Sequence, residues 1–276
     1  MMVTLLTMLL FWFECKDLRA VFFKSRPSSL FVLSTVVMSV HIIKSARLYL
    51  ALYGSNIDFF TYMKTYCKVT PVSMLAPFKL GELFRMYCYG VLMKNSLKGI
   101  VIILLDRFVD AMALITAIVL TWIFNGSQIA PFAYLLLLFL VFFLLIYRFY
   151  PGVYKFWKNY LLRARATQNK LAALKMLEKF HLLYQEVEAV ARGRGMILYF
   201  MSLAAWGVEI GGLTVLSEIE GKDKAGRIMS DYLTSAMTGS RCIEMKRFVI
   251  VSVVLLAVTY LMTESGRKFL GKKDRQ

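Results

Sequence analysis

The chain predicts an all-α, polytopic helical membrane protein, with about six transmembrane helices and a re-entrant helical hairpin. Three observations lead there. Hydrophobic residues make up 59% of the 276 positions, and mean hydropathy is +0.61. Several apolar runs approach the roughly 20 residues that cross a bilayer, and none of them would find a partner core in water. Pro71 and Pro77 interrupt one such run, which suits a helix that enters the bilayer, breaks and returns. Residues 1–276 read as one integral membrane domain.

The elements follow in order. Residues 1–13 are apolar and lack both the basic start and the small-residue cleavage site of a secretory signal, so they read as a first membrane helix. Residues 14–29 carry mixed charges and form an amphipathic connection at a surface. Leu30–Leu52 is the second span, with Lys44 and Arg47 near its end. Gly54 to Asn56 mark a turn, and Asp58 caps the segment from Phe59 to Ala76. With Pro77 beyond it, residues 58–95 make the re-entrant hairpin.

Ser96 caps a helix running to about Phe124, and Asn125–Ala130 is a charge-free turn before the span Pro131–Tyr147. Residues 148–195 form a basic segment. Within it Ala173, Leu177, Phe180, Tyr184, Val187 and Ala191 recur at helical spacing, as in a helix lying in the membrane interface. Tyr150, Tyr154, Lys155, Trp157 and Lys158 read as an interfacial belt. Residues 196–276 hold the C-terminal helices and a basic tail. Met196–Leu216 is a span in which Gly207 and Gly211 suit close helix approach, and Phe248–Met262 is the last span. Between them, residues 221–245 include a stretch, Ile228–Met237, that suits a short re-entrant helix.

A net charge of +17 in a soluble chain would point to nucleic acid. Here the Lys and Arg residues gather in loops and helix ends, so they report topology and contact with anionic lipid, and nucleic acid is not expected. The positive-inside rule puts residues 148–195 and both termini in the cytoplasm. Cys15, Cys67, Cys88 and Cys242 show no CxxC spacing, and the only histidines are His41 and His181, so neither a metal nor a cofactor is expected. No nucleotide-phosphate loop, nucleophile elbow or zincin helix occurs; any transport would draw on an ion gradient or on the gradient of the cargo.

Charged groups inside apolar segments carry the functional reading, since each costs about 2.5–3.5 kcal/mol on insertion scales. Glu82 and Arg85 are three apart on one helix face; Asp106 and Asp110 are four apart on another, with Arg107 displaced by about 100°. Two stacked carboxylates need a cation, for which Arg85 is the candidate, leaving Arg107 for Glu82 or a ligand phosphate. The cluster is open to three readings: a staple that fixes the hairpin, a polar cavity admitting a lipid headgroup, or acid–base chemistry by the Asp106/Asp110 pair. Glu209, in a Trp-flanked helix, is an interhelix hydrogen-bonder or a further site residue.

The run Pro77-x-x-x-Gly81-Glu82-x-x-Arg85, followed by Asp106-Arg107-x-x-Asp110 and by Ala205-Trp206-x-x-Glu209, resembles the flippase-like transmembrane region of the lysylphosphatidylglycerol synthetase family over roughly residues 1–218. The resemblance implies a helical protein of a prokaryotic plasma (inner) membrane, with re-entrant elements, that handles a lipid-linked, negatively charged headgroup. It carries Pro77, Gly81, Glu82, Arg85, Arg107, Asp110 and Trp206 as motif positions. No soluble aminoacyl-transferase domain is expected after the last span, so lysyl transfer is not expected, and the family's later proline-glycine turn is either missing or replaced by residues 221–245.

The expected function is therefore binding and translocation of an anionic or polyprenyl-phosphate-linked lipid in cell-envelope biogenesis. Arg85 and Arg107 would contact the phosphate, with Glu82, Asp106, Asp110 and Glu209 as the charge network. Enzymes of envelope synthesis are the expected partners. The alternatives are a membrane-embedded glycosyl- or acyl-transferase and a non-catalytic assembly subunit.

Overall fold

The computed structural model describes residues 27–55, 57–76, 80–125, 131–163, 168–221, 231–235 and 242–273. Residues 1–26, and with them the first expected span, lie outside these, as does Pro77. Among the described residues the chain is all-helical: α1 Pro27–Ala51, α2 Phe59–Leu75, α3 Leu80–Leu92, α4 Ser96–Asn125, α5 Pro131–Arg163, α6 Gln168–Ile219 and α7 Ile243–Lys273, with a short helical turn at 231–235. Among the described residues four stretches are long and apolar enough to cross a membrane: Pro27–Ala51, Ala133–Arg163, Gln168–Ile219 and Ile243–Glu264. At 30 residues α4 is also long enough, about 45 Å, but Asp106, Arg107 and Asp110 fall in its middle.

α2 and α3 form the expected hairpin. At 17 and 13 residues they reach about 25 and 20 Å, each shorter than an ordinary span. Asp58 caps α2 by accepting from the Thr61 amide at 3.3 Å. At the other end Ala76 is extended (φ −64°, ψ 131°), the conformation imposed on a residue that precedes proline. The two arms touch backbone to backbone, since a Cβ on Gly81 would lie 2.4 Å from Ser73 Cα. The next corner is as tight: a Cβ on Gly99 would lie 2.5 Å from Gly90 Cα. Asn95, not Ser96, caps α4, its side chain accepting from the Lys98 amide at 3.1 Å.

α6 is the spine. It runs 52 residues, about 78 Å, and fuses the expected interfacial helix with the span at Met196–Leu216. The amphipathic stripe is thus the first half of a spanning helix. α5 likewise continues past Tyr147, through Pro151, to Arg163. Ring stacking holds this stretch against α6: Tyr154 lies on His181 at 3.8 Å and Tyr150 on Tyr184 at 4.8 Å. Tyr150 and Tyr154 therefore face a neighbouring helix, whereas Trp157 is exposed.

Tight packing of α6 on α1 comes from a different glycine than expected. A Cβ at Gly207 or Gly211 would meet nothing within 4 Å, whereas at Gly212 it would lie 2.4 Å from a Val36 methyl. Helix association in lipid depends on such close fits, because lipid tails are as apolar as leucine. α1, α4 and α6 enclose the interior, where Leu48, Ile102, Ile103 and Leu198 pack together with Tyr62 and Tyr89 of the hairpin.

Candidate functional site

The interior is polar where α1, α3, α4 and α6 meet. α1 is an apolar helix that carries His41, Lys44, Ser45 and Arg47 at spacings of three and four. Arg47 is 2% exposed and reaches α4 and α6 at once. Its Nε donates to Asp106 Oδ1 at 2.9 Å, and its Nη1 donates to Asp110 Oδ1 at 2.7 Å and to Ser202 Oγ at 2.5 Å. Ser202 in turn donates to Asp110 Oδ1 at 2.9 Å. The cation that reconciles the two stacked carboxylates is therefore Arg47, and the expectation of Arg85 in that place is corrected. An arginine fork on α1 can engage carboxylates one turn apart on α4, which a point-charged ammonium cannot do equally well. Both aspartates are so engaged by Arg47 that neither is placed as a free general base.

Around this clamp lies a looser layer. Asp106 Oδ2 accepts from Arg107 Nη2 at 3.2 Å and lies 3.7 Å from Arg85 Nη2. Glu82 closes the circuit from the hairpin, with Oε1 at 3.5 Å from Arg107 and Oε2 at 4.0 Å from Arg85. The contacts at 3.7 and 4.0 Å are ion pairs too long for hydrogen bonds. Arg85 is buried yet its Nε makes no hydrogen bond, nor do the buried Nε of Arg107 and Oε2 of Glu82. Buried polar atoms are normally partnered; these three are not, and the same holds for a buried atom of Tyr89, Trp206 and Ser252. Exposure rises towards Arg107, whose side chain is 39% exposed against 1% for Asp106.

Glu209 stands apart from this circuit. It pairs with Lys44 at 3.1 Å and accepts a short hydrogen bond from the Tyr232 hydroxyl of the 231–235 turn. Trp206 lies beneath the Lys44 ammonium at 5.3 Å. Lys44 and Arg47 share a face of α1, so that helix joins the two clusters without Glu209 touching Asp106, Asp110, Arg85 or Arg107. A further contact ties α1 to the hairpin, where His41 Nδ1 and the Tyr66 hydroxyl are 3.2 Å apart.

The structure thus brings Glu82, Arg85, Asp106, Arg107 and Asp110 into one cluster and places Gly81 at the hairpin contact. Arg47, Lys44, Ser202 and Tyr232 enter the site although sequence reasoning passed over them. The polar stripe His41, Lys44, Ser45, Arg47 on an otherwise apolar helix was the available signal. A family model described as the lysylphosphatidylglycerol synthase TM region matches residues 2–219. The chain belongs to this family. No curated protein and no solved structure matches it. In this lysylphosphatidylglycerol synthase TM family member, the matched region ends where α6 ends and takes in the whole Arg47 clamp, the hairpin and Glu209. With four long apolar helices among the described residues, it is an integral membrane protein.

Proposed function

We propose that this family member binds the phosphate of an anionic or polyprenyl-phosphate-linked lipid against Arg85 and Arg107 and carries the lipid between leaflets, in the service of cell-envelope synthesis in a prokaryotic inner membrane. The carrying observation is a buried Arg85 whose Nε is unpartnered and whose two ion pairs are 3.7 and 4.0 Å long, beside a partly exposed Arg107. Arginine keeps its charge at depth and matches phosphate with two parallel donors. The broken hairpin that carries Arg85 suits the role, since interrupted helices are tolerated at depth where they line a polar path. Asp106 orients the two arginines, and Glu82 lies between them before a phosphate binds. Partner enzymes would supply or consume the lipid on either side, and cytoplasmic termini would put the basic helix ends beside anionic lipid.

The test is a leaflet-sidedness assay in liposomes with fluorescent phospholipid. Arg85→Ala and Arg107→Ala, each purified as a folded monodisperse protein, should slow protein-dependent translocation by at least about tenfold, as expected for the loss of one buried charge contact. Translocation by Arg85→Ala at the wild-type rate overturns the assignment.

A further inference from the structure

We propose that Glu82 is an internal anion that occupies the Arg85/Arg107 site and leaves it when a phosphate group binds. This rests on the phosphate-binding reading above. Glu82 presents one carboxylate oxygen to each arginine, Oε1 to Arg107 at 3.5 Å and Oε2 to Arg85 at 4.0 Å, as two oxygens of a bound phosphate would. Both separations exceed a hydrogen bond, and Oε2 is buried with no hydrogen-bond partner. Asp106 and Asp110, by contrast, are held by Arg47 at 2.8 and 2.7 Å. Of the three carboxylates, Glu82 is the one that ion pairs hold only loosely, and its side chain is 21% exposed.

Charge balance gives the reason for exchange over addition. Arg47, Arg85 and Arg107 are matched by Glu82, Asp106 and Asp110, so the cluster is neutral as it stands. An added anion would leave excess negative charge in a poorly solvated place, which is costly. With Glu82 turned outward the remainder carries one positive charge, and a phosphate group restores balance. The backbone has no need to move, because Gly81 stays seated on Ser73 while the neighbouring side chain rotates. Glu82 thereby also selects: a neutral headgroup offers nothing to the two arginines that Glu82 does not already supply.

The experiment titrates the purified full chain in detergent, by calorimetry, with two probes: inorganic phosphate and dihexanoyl phosphatidic acid. Glu82→Gln keeps the shape and removes the charge. It should bind at least about tenfold more tightly than wild type, because the competing anion no longer reduces the competent fraction. Glu188→Gln, whose carboxylate pairs with Arg192 at 3.1 Å away from the cluster, should match wild type. A gain with the lipid alone identifies a headgroup as ligand, and a gain with both probes identifies the phosphate group itself; either supports exchange. Equal or weaker binding by Glu82→Gln overturns exchange, and it leaves the phosphate site standing if Arg85→Ala still loses binding. If Arg85→Ala binds both probes as wild type does, the site and the exchange fall together. Should Glu82→Gln not fold, Glu82→Asp draws the carboxylate back by one methylene and should give a smaller gain; no gain overturns the proposal.

Discussion

Arg47→Ala is expected to cost about 3–5 kcal/mol of stability, the penalty for removing one partner from a buried ion pair. The substitution bares Asp106 and Asp110 to each other at one face of α4, in a part of the bundle where Asp106 is 3% exposed. Asp106 keeps its contact with Arg107, but Asp110 is left with Ser202 alone and must take up a proton or draw in water. The substitution also removes the donor to Ser202, and so the polar tie between α1, α4 and α6. In thermal unfolding of the detergent-purified protein, the midpoint should fall by roughly 6–20 °C. Arg47→Lys should recover only part of this, since an ammonium does not reproduce the fork that meets both aspartates. The combination of Arg47→Met with Asp110→Asn should recover more, because it removes one charge of each sign and keeps Asp106 for Arg85 and Arg107, and a buried ion pair is replaced as a whole at less cost than it is broken. A midpoint unchanged in Arg47→Ala would show that the clamp carries no stability.

Gly81→Ala is expected to separate the hairpin arms. The added methyl would lie 2.4 Å from Ser73 Cα and 2.6 Å from Ser73 O, both backbone atoms that cannot rotate aside. The start of α3 must then shift from α2, and Glu82 and Arg85 shift with it, away from Asp106 and Arg107. Overpacking of this kind costs about 1–3 kcal/mol, but the loss of translocation should be larger than that stability loss alone explains, because the arginine pair is set by the hairpin's position. Gly207→Ala is the matched comparison. Its Cβ meets nothing within 4 Å, so it should leave both unfolding temperature and translocation near wild type. Equal effects of the two substitutions would mean that the hairpin contact does not set the site.

The sequence carried the hairpin and the local halves of the charge cluster. Pro77 forces the residue before it out of the helix, and Ala76 is extended. Spacings of three and four put Glu82 by Arg85 and stack Asp106 on Asp110, as helical periodicity requires. The same periodicity is silent on partners from distant helices. Lys44 and Arg47 look like ordinary charges near a helix end, yet Arg47 lies at the centre of the bundle and Lys44 faces Glu209. Gly207 and Gly211 form the spacing that suggests a close contact, but the rotation of α6 directs Gly212 to α1.

From its sequence alone this protein is determined as a helical membrane protein with a broken hairpin and intramembrane charges, because chain-local geometry and the cost of charge in hydrocarbon are written residue by residue. Only the tertiary structure decides that Arg47 and Ser202 close the aspartate pair, that Glu209 belongs to Lys44 and Tyr232, and that Glu82 lies between Arg85 and Arg107. The physical reason is that an apolar helix face sits as well against lipid as against another helix, so hydrophobicity sets neither rotation nor depth, and these come from long-range polar pairs and close glycine contacts.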